Sequence, residues 1–253
     1  MSVKLSAVII TFNEEKNIER CLNSLNGIAD EIIVLDSFST DRTKEICMKF
    51  NVRFFEHDFD GYIEQKNRAL HYTSYEWVLS LDADEALSNE LAKEIKKVKE
   101  NPDADGYTFN RLNYYCEKWI RHSGWYPDKK LRLWNKIKGK WAGVNPHDKL
   151  MLEPGSKIRH LKGDLLHYTY YSVQEHIDQI NKFSSIGAAE AFKKGKNSNA
   201  FIILIKSSWR FFRDYVINLG FLDGYYGFVI CSLSGWGTFL KYLKLRELKK
   251  QHI

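Results

Sequence analysis

The sequence predicts an α/β fold in which a mainly parallel central sheet is flanked by helices. Two observations predict it: apolar, β-branched runs alternate with helix-like segments over the first hundred residues, and charged residues collect where those runs end. Strands that alternate with helices are typical of parallel sheets. Ligands of such sheets bind outside the carboxyl ends of the strands, so a site is expected in the loops there.

Residues 5–100 contain four predicted strand–helix pairs. The strands are predicted from the apolar runs LSAVIIT (5–11), EIIVLD (31–36), VRFFE (52–56) and WVLSL (77–81). The helices are predicted from apolar residues at helical spacing, over residues 14–25, 41–50, 63–72 and 88–100. Thr40 and Ser88 are the expected N-caps of the second and fourth helices.

After Pro102 the pattern changes to short strands separated by irregular loops. The predicted elements are strands at residues 106–111, 130–134 and 147–152 and a helix at 172–192. Four of the seven tryptophans fall in this part of the chain, between residues 119 and 141. Their rings suit stacking on sugars and filling the core of a small sheet equally well.

The composition is that of a folded globular protein. The chain has 253 residues, of which 44% are apolar and 28% charged, so it is long enough for a sizeable core. Its N-terminus lacks a basic start followed by a long apolar stretch, and no signal peptide is expected. The cysteines at positions 21, 47, 116 and 231 form no CxxC pair. This argues against structural zinc and a disulfide framework and favours a reducing cytosol.

Positive charge is concentrated at the C-terminal end of the chain. The net charge is +6, but residues 191–253 contain 11 Lys and Arg against three Asp and Glu. This excess predicts an anionic partner for the tail, either a membrane surface or nucleic acid. The alternative is a solubilising helix face without a partner.

Acidic residues follow three of the predicted strands. The loops after the first, second and fourth strands begin TFNEE, DSFSTD and DADE. The first loop has no glycine, which excludes the dinucleotide-binding G-x-G-x-x-G turn, and the chain has no P-loop. In an extended segment Asp82 and Asp84 point the same way and face one ligand. Carboxylate oxygens suit Mg²⁺ or Mn²⁺, which also bridge phosphate oxygens.

Four segments in register carry a resemblance to a known family. TFNEE, VLDSFSTDRT, QKNRAL and LSLDADE resemble glycosyltransferase family 2, whose members are inverting enzymes of the GT-A fold. The later segments WAGVNPHDKL, LLHYTYYS and GFLDGYYGF are similar to bacterial enzymes of the WaaE/KdtX type, which glucosylate the inner core of lipopolysaccharide. The resemblance implies a GT-A catalytic domain over residues 1–195 and a basic, apolar helical extension over 196–253. Within the catalytic domain, 1–101 would bind the nucleotide sugar and 102–170 the acceptor.

The resemblance also implies a role for particular residues. The nucleotide sugar would be held by Thr11, Asn13, Glu14, Asp36, Gln65, Lys66, Asn67 and Asp82. A metal ion, Mg²⁺ or Mn²⁺, would be held by Asp82, Asp84 and His167. Asp148 would be the general base, although many relatives have His-Glu where this sequence has His147-Asp148.

Some of these residues have structural alternatives that the sequence leaves open. Asn13 could equally cap the first helix. Lys66 could be a solvated helix lysine, and His167 a core histidine with its hydrogen bonds satisfied.

The function implied is transfer of a sugar, expected to be glucose, from a UDP-sugar to a lipid-linked glycan acceptor of the cell envelope. The expected location is cytoplasmic, peripheral on the inner face of the cytoplasmic membrane, with an anionic membrane surface and no nucleic acid as partner. The alternatives are a metal-dependent nucleotidyltransferase or phosphohydrolase, and a non-catalytic carbohydrate-binding scaffold at the membrane.

The tail is expected to lie on a membrane without spanning it. From Gly224 to Leu240 there are 17 uncharged residues, which as a helix reach about 25 Å, less than the ~30 Å hydrocarbon core. Four glycines in this stretch are expected to weaken a continuous helix. Apolar residues with basic flanks are typical of an interfacial helix on anionic lipid. The alternative is that these helices pack on the catalytic domain.

Overall fold

The computed structural model describes residues 2–145 and 147–251, and these form two compact units. The first unit contains the described residues up to Arg111 together with Asp128–Tyr168. The second contains Leu112–Pro127 together with the described residues from Thr169 onward. The boundary expected between residues 195 and 196 concerns the division of function and stays a prediction.

The strands and helices follow the predicted alternation closely over the first hundred residues. The strands are β1 (Leu5–Thr11), β2 (Glu31–Asp36), β3 (Arg53–Glu56), β4 (Trp77–Asp82), β5 (Glu85–Leu87), β6 (Gly106–Tyr115), β7 (Lys118–Ile120), β8 (Asp128–Asn135), β9 (Gly139–Val144), β10 (His147–Leu152) and β11 (Ile158–Tyr170). The helices are α1 (Ile18–Ser24), α2 (Thr43–Cys47), α3 (Tyr62–His71), α4 (Asn89–Glu100), α5 (Val173–Lys193), α6 (Ala200–Phe212) and α7 (Gly224–Gln251).

The helix starts agree with the predicted caps in one case and differ in the other. The Ser88 hydroxyl accepts a hydrogen bond from the Leu91 backbone N–H at 3.2 Å and caps α4 as predicted. Thr40 does not cap α2, which begins at Thr43. The backbone N–H of Thr40 instead donates to the Asn13 side chain at 2.8 Å, so Thr40 belongs to the loop that precedes the helix.

The long sheet is parallel at one end and antiparallel at the other. Its strand order is β3-β2-β1-β4-β8-β6-β11-β5, with β7 paired on β6. The four strands β3, β2, β1 and β4 run parallel to one another. Strand β8 is antiparallel to β4, and β6 is antiparallel to β8. Strands β9 and β10 pair with each other in a separate antiparallel hairpin.

Strand β1 lies in the middle of the core because both of its faces are apolar. Leu5, Ala7 and Ile9 pack in one cluster with side chains of α1, α2 and α4. Val8 points the other way and packs in a second cluster with Ala69 of α3. Helices therefore cover both faces of the parallel strands, as their near-continuous apolar runs require.

The register of the parallel strands brings the predicted site loops together. Thr11 lies beside Asp36, and Ile10 lies beside Asp82. The carboxyl ends of β1, β2 and β4 therefore meet at one edge of the sheet, where a ligand site is expected.

In the second unit, α7 runs without a break through the glycines that were expected to weaken it. Gly227 lies against the backbone carbonyl of Gly220, where there is no room for a Cβ atom. A Cβ atom on Gly235 would lie 3.2 Å from the carbonyl oxygen of Ser207 in α6. The glycines allow the backbones to approach closely, and this packing offsets their low helix propensity.

No single described helix is long and apolar enough to cross a membrane. The segments Ala200–Ile217 and Gly220–Gln251 are long and apolar enough only when taken together, and the chain bends by 70° between them.

Asp223 holds the loop that follows β7 against the start of α7. Its side chain is buried, and its carboxylate accepts hydrogen bonds from the backbone N–H groups of Arg121 at 3.2 Å and His122 at 2.9 Å. The Ser123 hydroxyl and the His122 ring lie at 3.4 and 3.1 Å from the same carboxylate. One carboxylate therefore satisfies several polar groups of a loop that has no regular structure.

Replacing Asp223 should destabilise the protein strongly. The Asp223→Ala substitution removes a buried carboxylate and leaves the backbone N–H groups of Arg121 and His122 without this acceptor, and we expect it to lower the free energy of unfolding by about 2–5 kcal/mol. Urea unfolding followed by circular dichroism measures the loss. Glu247→Ala removes an exposed carboxylate of the same unit and is the control. Equal unfolding midpoints for the two variants would show that Asp223 does not stabilise this loop.

Candidate active site

Two cavities lie on either side of Asp82 at the carboxyl edge of the parallel strands. The first, of about 570 Å³, is bordered by the loops after β1, β2 and β4. The second, of about 560 Å³, is bordered by β8 and by the β9–β10 hairpin. Asp82 lines both cavities. The acidic strand end that stands out in the sequence therefore borders two spaces large enough for small ligands.

The first cavity combines aromatic and polar side chains. It is lined by Ile10, Thr11, Phe12, Glu14, Ser37, Phe59, Tyr62, Asp82, Ala83, Asp84 and His167. Phe12 and Phe59 are about half exposed, so their rings are available to a flat ligand. The Thr11 hydroxyl is buried without a hydrogen-bond partner among the described residues. A ligand that has both a ring and polar groups matches this lining.

Asp84 and His167 meet in the first cavity. Asp84 lies in the tight turn between β4 and β5, and its backbone carbonyl accepts a hydrogen bond from the Tyr168 N–H at 2.9 Å. This bond holds the turn against β11, which carries His167. The His167 Nε2 atom lies 3.1 Å from Asp84 Oδ2. The sequence places these two residues 83 positions apart, and the pairing of β11 with β5 brings them together.

Asp82 is paired with two basic side chains, whereas Asp84 lies beside His167. One of its carboxylate oxygens lies 3.0 Å from Lys66 Nζ, and the other accepts a hydrogen bond from Arg132 at 2.8 Å. Burial alone would raise the pKa of Asp82, but the charges of Arg132 and Lys66 outweigh burial and hold the pKa well below its usual range. Asp82 is therefore a carboxylate with a cation on each oxygen.

Arg132 is fixed by a second carboxylate. Its guanidinium lies 3.1 Å from the buried Glu85 side chain, which also accepts a hydrogen bond from the Asp82 N–H at 2.9 Å. Arg132 is only 4% exposed, yet its Nε and Nη1 atoms have no partner among the described residues. Guanidinium N–H groups are rarely buried without acceptors, so these two donors lack a partner that buried donors normally have.

The carboxylates and the imidazole fit a divalent cation only in part. The described residues contain no cluster of three or more His, Cys, Asp or Glu side chains that could hold a metal. Asp84 and His167 can supply two ligands, and Mg²⁺ commonly takes one or two protein ligands plus substrate phosphates. The prediction that Asp82 binds the metal together with Asp84 meets a difficulty, because both oxygens of Asp82 already face cations.

Asp148 lines the second cavity, whereas the metal-ligand candidates Asp84 and His167 line the first. It belongs to β10 and accepts a hydrogen bond from Lys66 Nζ at 2.9 Å. Lys66 lies 4.4 Å above the ring of Trp141, and the Arg132 guanidinium lies 5.4 Å from the same ring. Lys66 thus connects Asp82 to Asp148, and it is buried rather than a solvated helix lysine.

Glu14 has a carboxyl group whose pKa is raised. Burial, with a smaller contribution from the neighbouring charge of Asp84, raises the pKa of Glu14 to about 7, although a hydrogen bond from Asn17 opposes the shift. The Asn17 amide donates this bond at 2.8 Å. Glu14 lines the first cavity, so a cation or a hydrogen-bond donor of the ligand there would favour its charged form.

Asp36 and Asn13 organise the loops around the first cavity. Asp36 is fully buried and accepts hydrogen bonds from the backbone and the hydroxyl of Ser39, at 2.7 and 2.5 Å. Asn13 has a left-handed backbone with φ of 55°, and it does not cap α1, which begins at Ile18. Its side chain accepts a hydrogen bond from Thr40 instead. Neither side chain is part of the cavity lining, and their predicted contacts with a nucleotide stay predictions.

Gln65 and Asn67 support the walls of the cavities and do not line them. The Gln65 amide donates hydrogen bonds to the Ser37 hydroxyl at 2.9 Å and to the His57 carbonyl at 3.2 Å. Asn67 exchanges two hydrogen bonds, of 2.8 and 3.0 Å, with the backbone of Trp141. The pattern QKNRAL predicts three ligand-binding side chains, but in the structure only Lys66 borders a cavity.

Several residues of the site were not predicted from the sequence. They are Phe12, Phe59, Tyr62, Arg111, Arg132 and Trp141. Phe12 could have been found, because it lies within the first loop between two predicted residues. Arg132 gives no such signal, since it lies inside a predicted strand and its partners are 47 and 50 residues away.

Comparison with known proteins identifies the family. Residues 6–154 match the family described as Glycosyl transferase family 2. A glycosyltransferase of Rickettsia bellii is 33% identical over 99% of this chain and 89% of its own length. The lipopolysaccharide core biosynthesis glycosyltransferase LpsC of Rhizobium meliloti is 28% identical over 98% of this chain and 93% of its own.

Among solved structures, that of S. aureus TarS 1–349 in complex with UDP-GlcNAc covers 98% of this chain, and this chain covers 92% of it. The TM-score is 0.48 and the sequence identity 14%. The sequence match extends over more than half of the chain, and the relatives of similar length are glycosyltransferases. The chain therefore belongs to glycosyl transferase family 2, and the resemblance seen in its sequence motifs is confirmed.

Proposed function

We propose that this glycosyltransferase moves a sugar, expected to be glucose, from a UDP-sugar to a glycan of the bacterial cell envelope, with inversion at the anomeric carbon. The observation that carries the proposal is the meeting of two cavities at Asp82, one with Asp84 and His167 and the other with Asp148. The similarity to LpsC, which is named for lipopolysaccharide core biosynthesis, supports the same kind of acceptor.

The first cavity suits the nucleotide part of the donor. Phe12, Phe59 and Tyr62 offer ring faces and edges for the base. Asp84 and His167 line the same cavity and would hold a divalent cation together with the diphosphate. When bound, Mg²⁺ or Mn²⁺ would neutralise the charge that develops on the leaving diphosphate.

The second cavity suits the acceptor, because it contains a carboxylate separate from the metal-ligand candidates. In the proposed reaction the Asp148 carboxylate takes the proton of the acceptor hydroxyl, whose oxygen attacks the anomeric carbon. The bond from that carbon to the phosphate oxygen breaks, and its electron pair leaves with UDP. A single displacement of this kind inverts the anomeric configuration. Lys66 positions Asp148 by its ion pair and keeps it beside Asp82.

We further propose that the enzyme lies on the inner face of the cytoplasmic membrane through an apolar face of its second unit. Along α6 this face consists of Phe201, Leu204, Ile205, Trp209 and Phe212, all at least 46% exposed. Their spacing puts them on one side of the helix. The apolar face continues through Ile217 and Leu222, each 54% exposed.

The charge of the same segment favours an anionic bilayer as the partner. Lys206 is exposed on α6, and basic residues cluster in the last turns of α7, at Lys241, Lys244, Arg246, Lys249 and Lys250. Apolar side chains with basic neighbours bind the headgroup region of anionic lipid. A lipid-linked acceptor would then be presented to the enzyme at the surface on which it lies.

Replacing Asp84 should abolish metal-dependent binding of UDP. At UDP concentrations of about 100 times the dissociation constant, binding to the wild type in the presence of Mn²⁺ should stabilise the fold by about 2.7 kcal/mol. We expect the Asp84→Ala variant to lose this stabilisation in a thermal melt and most of its turnover. Glu19→Ala, which removes an exposed carboxylate of α1, is the control. The assignment fails if Asp84→Ala is stabilised like the wild type, or if a chelator leaves the wild type unaffected.

Replacing Asp148 should impair the transfer step and spare donor binding. Asp148→Asn keeps the shape of the side chain but cannot accept a proton, so we expect transfer to slow by roughly a hundredfold or more. The measurement is UDP release from UDP-glucose with a glucose-deficient lipopolysaccharide core as acceptor, alongside the affinity for UDP and Mn²⁺. Glu153→Gln, an exposed position after the same hairpin, serves as control. An unchanged rate in Asp148→Asn would move the role of base to another carboxylate.

Removing part of the apolar face should release the protein from anionic vesicles. Each buried apolar side chain contributes about 1.5–3 kcal/mol, so the double variant Leu204→Ser with Trp209→Ser should bind roughly a hundredfold more weakly. We expect the wild type to float with phosphatidylglycerol vesicles and not with phosphatidylcholine vesicles, and less at high salt. Ile137→Ser, an exposed apolar residue of the first unit, is the matched control. Membrane docking is refuted if the wild type stays in the soluble fraction with anionic lipid at low salt.

A further inference from the structure

The second cavity contains more positive charge than the proposed reaction requires. Its lining includes two carboxylates, Asp82 and Asp148. Among the described residues the cations of the lining are Lys66, Arg111, Lys129, Lys130, Arg132 and Lys149. A general base and an acceptor hydroxyl do not by themselves call for a cationic surface.

Ion pairs inside the protein account for only part of this charge. Lys66 and Arg132 share Asp82 and reach Asp148 and Glu85. Arg111 and Lys130 share a single carboxylate, Asp128, at 2.9 and 3.0 Å, and Arg111 also lies 3.5 Å from Glu85. Four carboxylates therefore face the six cations of the cavity.

Lys129 and Lys149 carry the remaining charge. No carboxylate among the described residues lies within ion-pair distance of either ammonium group, and both side chains are exposed at the cavity. Burial, with a smaller contribution from the charge of Lys129, lowers the pKa of His160. Exposed lysines at the mouth of a cavity attract and hold anions.

Arg132 provides an independent indication of a ligand in the cavity wall. Only 4% of its surface is exposed, and two of its guanidinium nitrogens have no acceptor among the described residues. A buried donor without an acceptor costs free energy unless a bound group supplies one. Planar guanidinium donors match the paired oxygens of phosphate and carboxylate groups.

We infer that the second cavity binds an anionic group of the acceptor, a phosphate or a carboxylate close to the hydroxyl that receives the sugar. The inference rests on the proposed function, because it assigns the second cavity to the acceptor through Asp148. The donor diphosphate has its own place at Asp84 and His167 in the first cavity, so both anions are bound at the same time. The acceptor class is therefore a negatively charged glycan, and a neutral sugar is a poor substitute.

Thermal melts at constant ionic strength test the inference with inorganic phosphate, glucose 6-phosphate, glucuronate and glucose as probes. We expect the two anionic classes of probe to stabilise the wild type in the presence of saturating UDP and Mn²⁺, and glucose to have no effect. Whichever of glucose 6-phosphate and glucuronate binds more tightly indicates whether the acceptor carries phosphate or carboxylate. The variant Lys129→Ala with Lys149→Ala should bind the anionic probes roughly tenfold more weakly or worse. Lys162→Ala, an exposed lysine of β11 outside both cavities, is the matched control and should bind them normally.

Three results would overturn the inference. They are equal binding of glucose and glucose 6-phosphate, unchanged binding of phosphate by the double lysine variant, and loss of phosphate binding when UDP and Mn²⁺ are added. The last result would mean that the cationic cavity serves the donor. If UDP and Mn²⁺ fail to bind while phosphate binds the wild type and not the double variant, the proposed donor is wrong and the anion site is supported.

Discussion

The arrangement of the site depends on one partly buried carboxylate, that of Asp82, held between Lys66 and Arg132. Two cations in a poorly solvated space would repel each other, and Asp82 makes their proximity favourable. Lys66 comes from α3 and Arg132 from β8, so the network joins three elements at the end of β4. Asp82 lines both cavities, and Lys66 and Arg132 line the second, so the network lies where the two cavities meet.

In the proposed reaction the two cavities have different roles and meet at Asp82, so that the acceptor can reach the donor. Asp84 and His167 are held together on one side by the pairing of β11 with β5, and Asp148 is held on the other side by Lys66. A carboxylate that serves as a base must not be neutralised by the metal that serves the leaving group, and separate cavities meet that requirement. We propose that the cationic lining around Asp148 selects anionic acceptors and that the apolar face of α6 places the enzyme at the membrane where they lie.

The sequence predicted the fold class and the meeting of the three acidic loops well, because both depend on local patterns. The GT-A fold class is confirmed by the family and by the parallel strands, whose ends meet as the positions of TFNEE, DSFSTD and DADE indicate. Arg132, Trp141 and the contacts of Asn67 could not be predicted, since they depend on antiparallel pairing over long separations. The prediction that glycines would interrupt α7 was wrong for a related reason. Their low helix propensity is a local property, but the close packing of Gly227 and Gly235 that outweighs it is tertiary.

A crystal structure of the protein with UDP and Mn²⁺ tests the central role of Asp82 most directly. We expect UDP in the first cavity, Mn²⁺ bound by Asp84, His167 and phosphate oxygens, and Asp82 still paired with Lys66 and Arg132. The second cavity should remain open to the acceptor. Mn²⁺ bound to Asp82 with the Lys66 or Arg132 pair broken, or the diphosphate bound in the second cavity, would contradict the account.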